Sequence, residues 1–150
     1  VPYTGLWYEV ARDKDFFWEL NGTCGTTTYT LNEDGSVSAY NSQISKGVRS
    51  GMTGKVVCDT ENKSDCTVQF FSLAPAGPYR IVATDYTSYA IVHNCNQFGP
   101  LKLENVWLLS RTAEFLTFED VKQTIHRKIP NYNIENFEAQ KSGYGCSYAA

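Results

Sequence analysis

Short runs rich in Thr, Tyr, Val, Ile and Phe recur along this chain, each closed by a cluster of turn-forming residues, and that rhythm restricts the fold to hairpins in a sandwich or barrel. Thr26 to Leu31 reads as a strand, Asn32-Glu33-Asp34-Gly35 as a turn with its glycine left-handed, and Ser36 to Gln43 as the returning strand. Gly54 to Asp59 and Cys66 to Ser72 flank the polar segment Thr60 to Asp65. Arg80 to Ala83 and Tyr89 to His93 flank Thr84-Asp85-Tyr86-Thr87-Ser88, and Leu101 to Ser110 follows a Gly99-Pro100 break. With Leu6 to Arg12 at the start, these runs make about eight strands with no helix between them. The fold expected is all-β, an eight-stranded antiparallel up-and-down barrel, because closing the sheet on itself removes its edges.

One helix is expected, after the last strand. Thr117 can cap it, Asp120 sits near the positive end of its dipole, Phe118, Val121, Ile125 and Ile129 share one face, and Pro130 stops it. A lone amphipathic helix in this position is expected to pack outside the barrel. No linker, low-complexity block or solenoid-period repeat divides the chain, so residues 1–150 are read as a single domain.

The formal charge of -3 comes from acids and bases mixed along the chain, with no basic stripe to neutralise a phosphate backbone, which argues against a nucleic-acid partner. No apolar run reaches the roughly 20 residues needed to span a bilayer, and Val1-Pro2-Tyr3-Thr4 does not resemble a signal peptide; an exported protein would already have lost one. Five cysteines and the sequons at Asn21 and Asn62 favour secretion, with glycosylation of both asparagines the corresponding expectation. Cys58 and Cys66 bracket one hairpin turn and are placed for a local disulfide. His126 falls on the polar side of the helix, and His93 points outward if Val92 points in. No nucleophile–base constellation or metal-ligand spacing emerges, so no catalytic residue and no metal site is expected, and the chain is read as a non-enzyme.

Three motifs occur in order. Gly5-Leu6-Trp7 near the start resembles the Gly-x-Trp motif of the lipocalins, Thr84-Asp85-Tyr86 resembles that family's Thr-Asp-Tyr turn, and Arg111 after Trp107-Leu108-Leu109-Ser110 resembles its third motif. The likeness covers nearly the whole chain and is nearest to the apolipoprotein D and bacterial lipocalin branch, as in Ala83 to Val92. It implies a barrel closed at one end by Trp7 under Arg111, with Gly5, Thr84, Asp85 and Tyr86 as structural residues. A guanidinium on an indole face gains about 0.5–2 kcal/mol. The resemblance also implies a Cys24–Cys146 disulfide tying the tail to the barrel; the Cys58–Cys66 bridge departs from the common family pattern. Cys95 then has no partner. It is a buried inert thiol, a link between chains, an attachment point for a chromophore, or the former partner of a removed N-terminal arm.

Strand alternation combined with the family register gives the inward residues. Leu109, Trp107, Asn105 and Leu103 share one face, with Thr27, Tyr29 and Leu31 on the second strand and Ala39, Asn41 and Gln43 on the third. Met52, Val56, Val68, Phe70, Ala90 and Val92 complete a wall that is mostly apolar with a few polar groups, as a small-molecule pocket requires. The function this implies is an extracellular carrier of a small hydrophobic ligand, a lipid, steroid, retinoid, fatty acid or pigment, with no required cofactor beyond such a bound lipid or chromophore. The alternative is an oligomeric or structural lipocalin holding a bilin or carotenoid, which outward Tyr8, Tyr40, Tyr89 and Ile91 would support. Phe16, Phe17 and Trp18 fall in the first loop; a lid over the mouth is favoured there over membrane contact. The facing of Arg80, which could receive an acidic head group, is left open.

Overall fold

The computed structural model describes residues 3–13, 23–61, 65–69, 77–98, 100–113, 118–139, 146 and 148. Phe16, Phe17, Trp18, Asn21, Asn62, Phe70 and Thr117, together with the side chain of Leu103, lie outside the described residues. The strands are β1 (Gly5–Asp13), β2 (Thr23–Leu31), β3 (Val37–Ser45), β4 (Val48–Cys58), β5 (Asp65–Gln69), β6 (Gly77–Thr84), β7 (Tyr89–Phe98), β8 (Leu101–Ser110) and β9 (Phe137–Ala139). From β2 to β8 each strand pairs antiparallel with the next, and β1 closes the barrel by pairing with both β8 and β2. The closed eight-stranded barrel is the fold expected from the hairpin rhythm, with β9 as an addition.

The turns explain the register. At the β2–β3 turn Gly35 has φ +86°, and Asp34 Oδ1 accepts from both the amide and the hydroxyl of Ser36. Between β3 and β4 the chain reverses on Lys46 and Gly47, both with positive φ, in the two-residue hairpin geometry that matches strand twist. That turn was not anticipated, since Lys-Gly is a weak turn signal, and β4 starts at Val48 rather than near Gly54.

Two layers of core result. Inside the barrel, Trp7, Tyr29, Ala39, Val56, Cys66, Ala90, Val92 and Leu109 pack together toward the closed end. Outside it, helix α1 (Phe118–Lys128) lays Val121 and Ile125, with Ile129 just beyond, on Val10, Ala11, Ile91, Val106 and Leu108 of β1, β7 and β8. After the helix, Tyr132 donates to Asp13 Oδ2 at 2.7 Å, a turn of 3₁₀ helix spans Ile134–Asn136, and β9 pairs with the end of β1.

β1 carries the irregularity that matters most for the interior. It runs along β2 from Gly5 to Tyr8 and along β9 from Ala11 to Asp13, and its register on β8 slips between Glu9 and Ala11. The extra residue is Val10. A bulge puts two residues opposite one and resets the alternation of faces. Val10 and Ala11 therefore both join the outer core, while Glu9, opposite Leu109, and Arg12, opposite Trp107, both face inward.

Both disulfides are formed: Cys24–Cys146 with Cα atoms 5.6 Å apart, and Cys58–Cys66 between residues that face each other across β4 and β5. The tail beyond Cys146 is anchored further by Tyr148, whose ring meets Tyr8 edge-on and lies under Arg49. Cys95 is a half-buried free thiol.

Candidate functional site: the barrel cup

The closed end is built by Arg111. Its guanidinium sits 3.7 Å from the Trp7 ring centroid and donates to the carbonyls of Thr4 and Leu6 at 2.9 Å and of Tyr86 at 3.1 Å. The planar fork of arginine can serve several acceptors while stacking, which a lysine could not. Trp7 Nε1 in turn donates to the Tyr3 carbonyl. Beside it, Asp85 Oδ1 accepts from the amides of Thr87, Ser88 and Tyr89, and its other oxygen accepts from the Ser88 hydroxyl. Burial pushes the Asp85 carboxyl up, but these hydrogen bonds outweigh it and hold the group down to about 2.

Above this base is a cavity lined by Glu9, Thr27, Tyr29, Ala39, Asn41, Val68, Pro78, Tyr79, Val92, Asn94, Trp107 and Leu109. Its void measures about 80 Å³, and the whole depression, counted with the solvent above it, about 550 Å³. The void is well below the roughly 300–1,000 Å³ usual for small-molecule pockets and suits the end of a ligand rather than a whole one.

The structure brings together Thr27, Tyr29, Ala39, Asn41, Val68, Val92 and Trp107 on this wall, along with Leu109. It does not bring Gln43, Met52, Ala90 or Asn105 to it. Ala90 is wholly buried in the packed base against the Trp7 cluster, below the void. Met52 faces the same side as Asn41 in register but is 49 % exposed. Gln43, opposite Ser50, lies nearer the other end of its strand, and Asn105 stands beside the cavity, opposite the lining residue Asn94. Val56 belongs to the packed base, and Leu31, expected inward, is exposed at the end of β2. Arg80 faces outward, where it pairs with Asp65 at 3.4 Å. The outward residues Ile91 and Tyr8 are covered by the chain itself, under α1 and against Tyr148, and Tyr40 lies over Gly51.

Three polar contributors were not foreseen: Glu9, Tyr79 and Asn94. Asn94 was recoverable, since it continues the alternation of Ala90 and Val92. Glu9 was recoverable as well, two residues on from the inward Trp7 and ahead of the Val10 bulge, whereas Tyr79 depends on a bulge. In β6 the register on β7 slips between Ile81 and Ala83, so alternation from the Thr84 turn does not carry to Tyr79. Glu9 pairs with Arg12 at 3.1 Å, and the two are only 6 % and 7 % exposed. Gly25 leaves the room: a Cβ there would come within 3.2 Å of Glu9 Cβ.

Tyr3, Tyr29 and Tyr79 form a phenol cluster at the inner end. Tyr3 and Tyr79 hydroxyls are 2.9 Å apart, and Tyr79 also bonds Tyr29. Burial pushes the Tyr3 hydroxyl up to about 12 and those of Tyr29 and Tyr79 well above the ordinary tyrosine value, so all three are neutral. On the facing wall Thr27 Oγ1 donates to Asn41 Oδ1 at 2.8 Å. Among the described residues no three His, Cys, Asp or Glu side chains are grouped to hold a metal ion.

A closed antiparallel barrel, sealed at one end by an arginine on a tryptophan and hollow above it, defines a calyx-type β-barrel protein. Comparison with known proteins places it further. A family model described as a lipocalin-like domain matches residues 2–141, and the chain belongs to that family. Mouse (Mus musculus) apolipoprotein D is 35 % identical over 112 residues, covering 73 % of this chain and 58 % of the relative, so the chain spans little more than half of that relative's length. Temperature-induced lipocalin-1 of Arabidopsis thaliana is 32 % identical over 132 residues, covering 85 % of this chain and 69 % of the relative. Among solved structures, lobster apocrustacyanin A1 superposes with a TM-score of 0.82 at 20 % identity, covering 98 % of this chain and 81 % of that one, a likeness of fold.

Proposed function

We propose that this protein is an extracellular carrier that holds a small hydrophobic ligand in its cup and performs no covalent chemistry on it. The observation that carries this reading is the cavity itself. Ala39, Val68, Val92, Trp107 and Leu109 supply apolar wall, and a few polar groups interrupt it. Burial supplies affinity and the sparse polar groups supply orientation, the division of labour of small-molecule sites. Membership of the lipocalin-like family and a relative named as an apolipoprotein support the same reading. Two disulfides support an oxidising compartment.

Mass spectrometry and an absorbance spectrum of protein purified from its source should show a stoichiometric lipid or pigment. With added apolar ligand, Trp107 fluorescence should be quenched saturably, and Trp107→Phe should remove most of that quenching. A protein that is reproducibly empty and binds no apolar probe would sink the carrier reading.

A further inference from the structure

A charged pair sits in the wall of the cup, and a purely hydrocarbon ligand would leave it unused. Glu9 lines the void at 6 % exposure and is held by the Arg12 guanidinium at 3.1 Å. Burying two such charges is costly unless hydrogen bonds satisfy them. A carboxylate carries no proton, so toward the void Glu9 can only accept. The phenols at the inner end have none to give either. Tyr3, Tyr29 and Tyr79 bond one another in all three pairs, and a closed ring of this kind uses every O–H. Each oxygen keeps one lone pair, and Tyr29 and Tyr79 line the void. Thr27 spends its hydroxyl proton on Asn41 Oδ1. There remain the amides of Asn41 and Asn94, the second donating to the Pro78 carbonyl. An amide donates as well as accepts, so these two receive either kind of ligand end and discriminate between none. The discrimination falls to Glu9 and the phenol ring, and both favour a donor.

A carbonyl oxygen brought to these groups would meet lone pairs. A carboxylate would in addition give up its hydration beside Glu9 and compete for an Arg12 already paired. An ammonium would lose its hydration too, and would gain little from a pair whose charges cancel. We propose that the cup selects uncharged apolar molecules ending in a hydroxyl, taken with that end inward so that its O–H donates to the Glu9 carboxylate. This specificity rests on the carrier reading.

Four molecules built on one decyl chain test it with the full chain at neutral pH: decanol, decyl methyl ether, decan-2-one and decanoate. Each is titrated against bound N-phenyl-1-naphthylamine, an uncharged fluorophore that brightens in an apolar site. Decanol should bind about tenfold or more tighter than the ether and the ketone, the ratio expected for a hydrogen bond to a charged group, with decanoate weakest. Glu9→Gln should reduce the advantage of the alcohol by about threefold or more, and should strengthen decanoate because Arg12 is then released to meet it. If that variant fails to fold, decanol against its methyl ether in the unmodified chain decides the same point, since the two share an oxygen and differ in its proton. The proposal is overturned, with the carrier reading left standing, by an alcohol no tighter than the ether and ketone, by decanoate as tight as the alcohol, by a folded Glu9→Gln variant with the advantage intact, or by a bound fluorophore that none of the four displaces. Failure of the fluorophore and all four molecules to bind overturns both.

Discussion

The phenols of Tyr3, Tyr29 and Tyr79 are held neutral by burial, and that couples them to stability at high pH. An unfolded tyrosine ionises near pH 10, whereas Tyr3 in the fold waits until about 12. Between those values the unfolded chain has lost protons that the native one keeps, so stability falls as pH rises from about 10 to 12. Absorbance at 295 nm should show at least three of the ten tyrosines failing to ionise until the protein unfolds. Ionisation of all ten below pH 11 without loss of fold would contradict the buried cluster. Asp85 has the opposite sign. Burial raises it, but the Ser88 hydroxyl and the amides of Tyr89, Ser88 and Thr87 hold it down to about 2. Its contribution is complete above the unfolded value near 4 and is lost as pH falls through about 2. Asp85→Asn should therefore lower the denaturation midpoint at pH 6, with the difference from the parent shrinking toward pH 2. A difference independent of pH would mean that geometry rather than charge is what Asp85 contributes.

Each strand of the barrel alternates between a packed or hollow inside and an outside that only α1 covers deeply. Ile125, fully buried between the helix and β1, β7 and β8, is the centre of that outer layer. Ile125→Ala should cost about 2–5 kcal/mol, read from urea unfolding with an unchanged m-value, because a cavity opens under an element that cannot collapse onto a rigid sheet. Ligand affinity should change little, since Ile125 is on the far side of the sheet from the cup. The same elements show what alternation can and cannot reveal. Thr27, Tyr29, Ala39 and Asn41 were legible because β2 and β3 pair without interruption from Thr26 to Leu31. Trp107 and Val92 were legible because β7 and β8 pair in one unbroken register. Tyr79 and Arg12 were hidden because a bulge leaves no mark in composition, and one extra residue exchanges the faces of everything beyond it. Read without the Val10 bulge, β1 would place Arg12 outside with the helix. Met52 and Gln43 fail for another reason: alternation gives the face but not the height along the barrel.

At the scale of the whole chain, two disulfides of very different span hold one sheet. Cys58 and Cys66 are eight residues apart and clip a single hairpin, whereas Cys24 and Cys146 enclose a loop of 122 residues and bring the tail back across β1 and β2. If a disulfide acts mainly by restricting the unfolded chain, its effect grows with the logarithm of the loop, to about 4–5 kcal/mol for the long bridge and about 2–3 kcal/mol for the short one. The long bridge also keeps Tyr148 between Tyr8 and Arg49, contacts that a freed tail would lose. Replacing Cys24 and Cys146 together by Ser should therefore destabilise the barrel more than replacing Cys58 and Cys66 together, and the m-value should rise in the first case as the unfolded chain expands. The comparison is best made with Cys95 also replaced by Ser in every variant, so that no free thiol can attack either bridge. Equal losses for the two pairs would show that local native contacts, not chain restriction, set the value of each bridge. A larger loss for the long pair with no change in m would place its effect in the anchored tail.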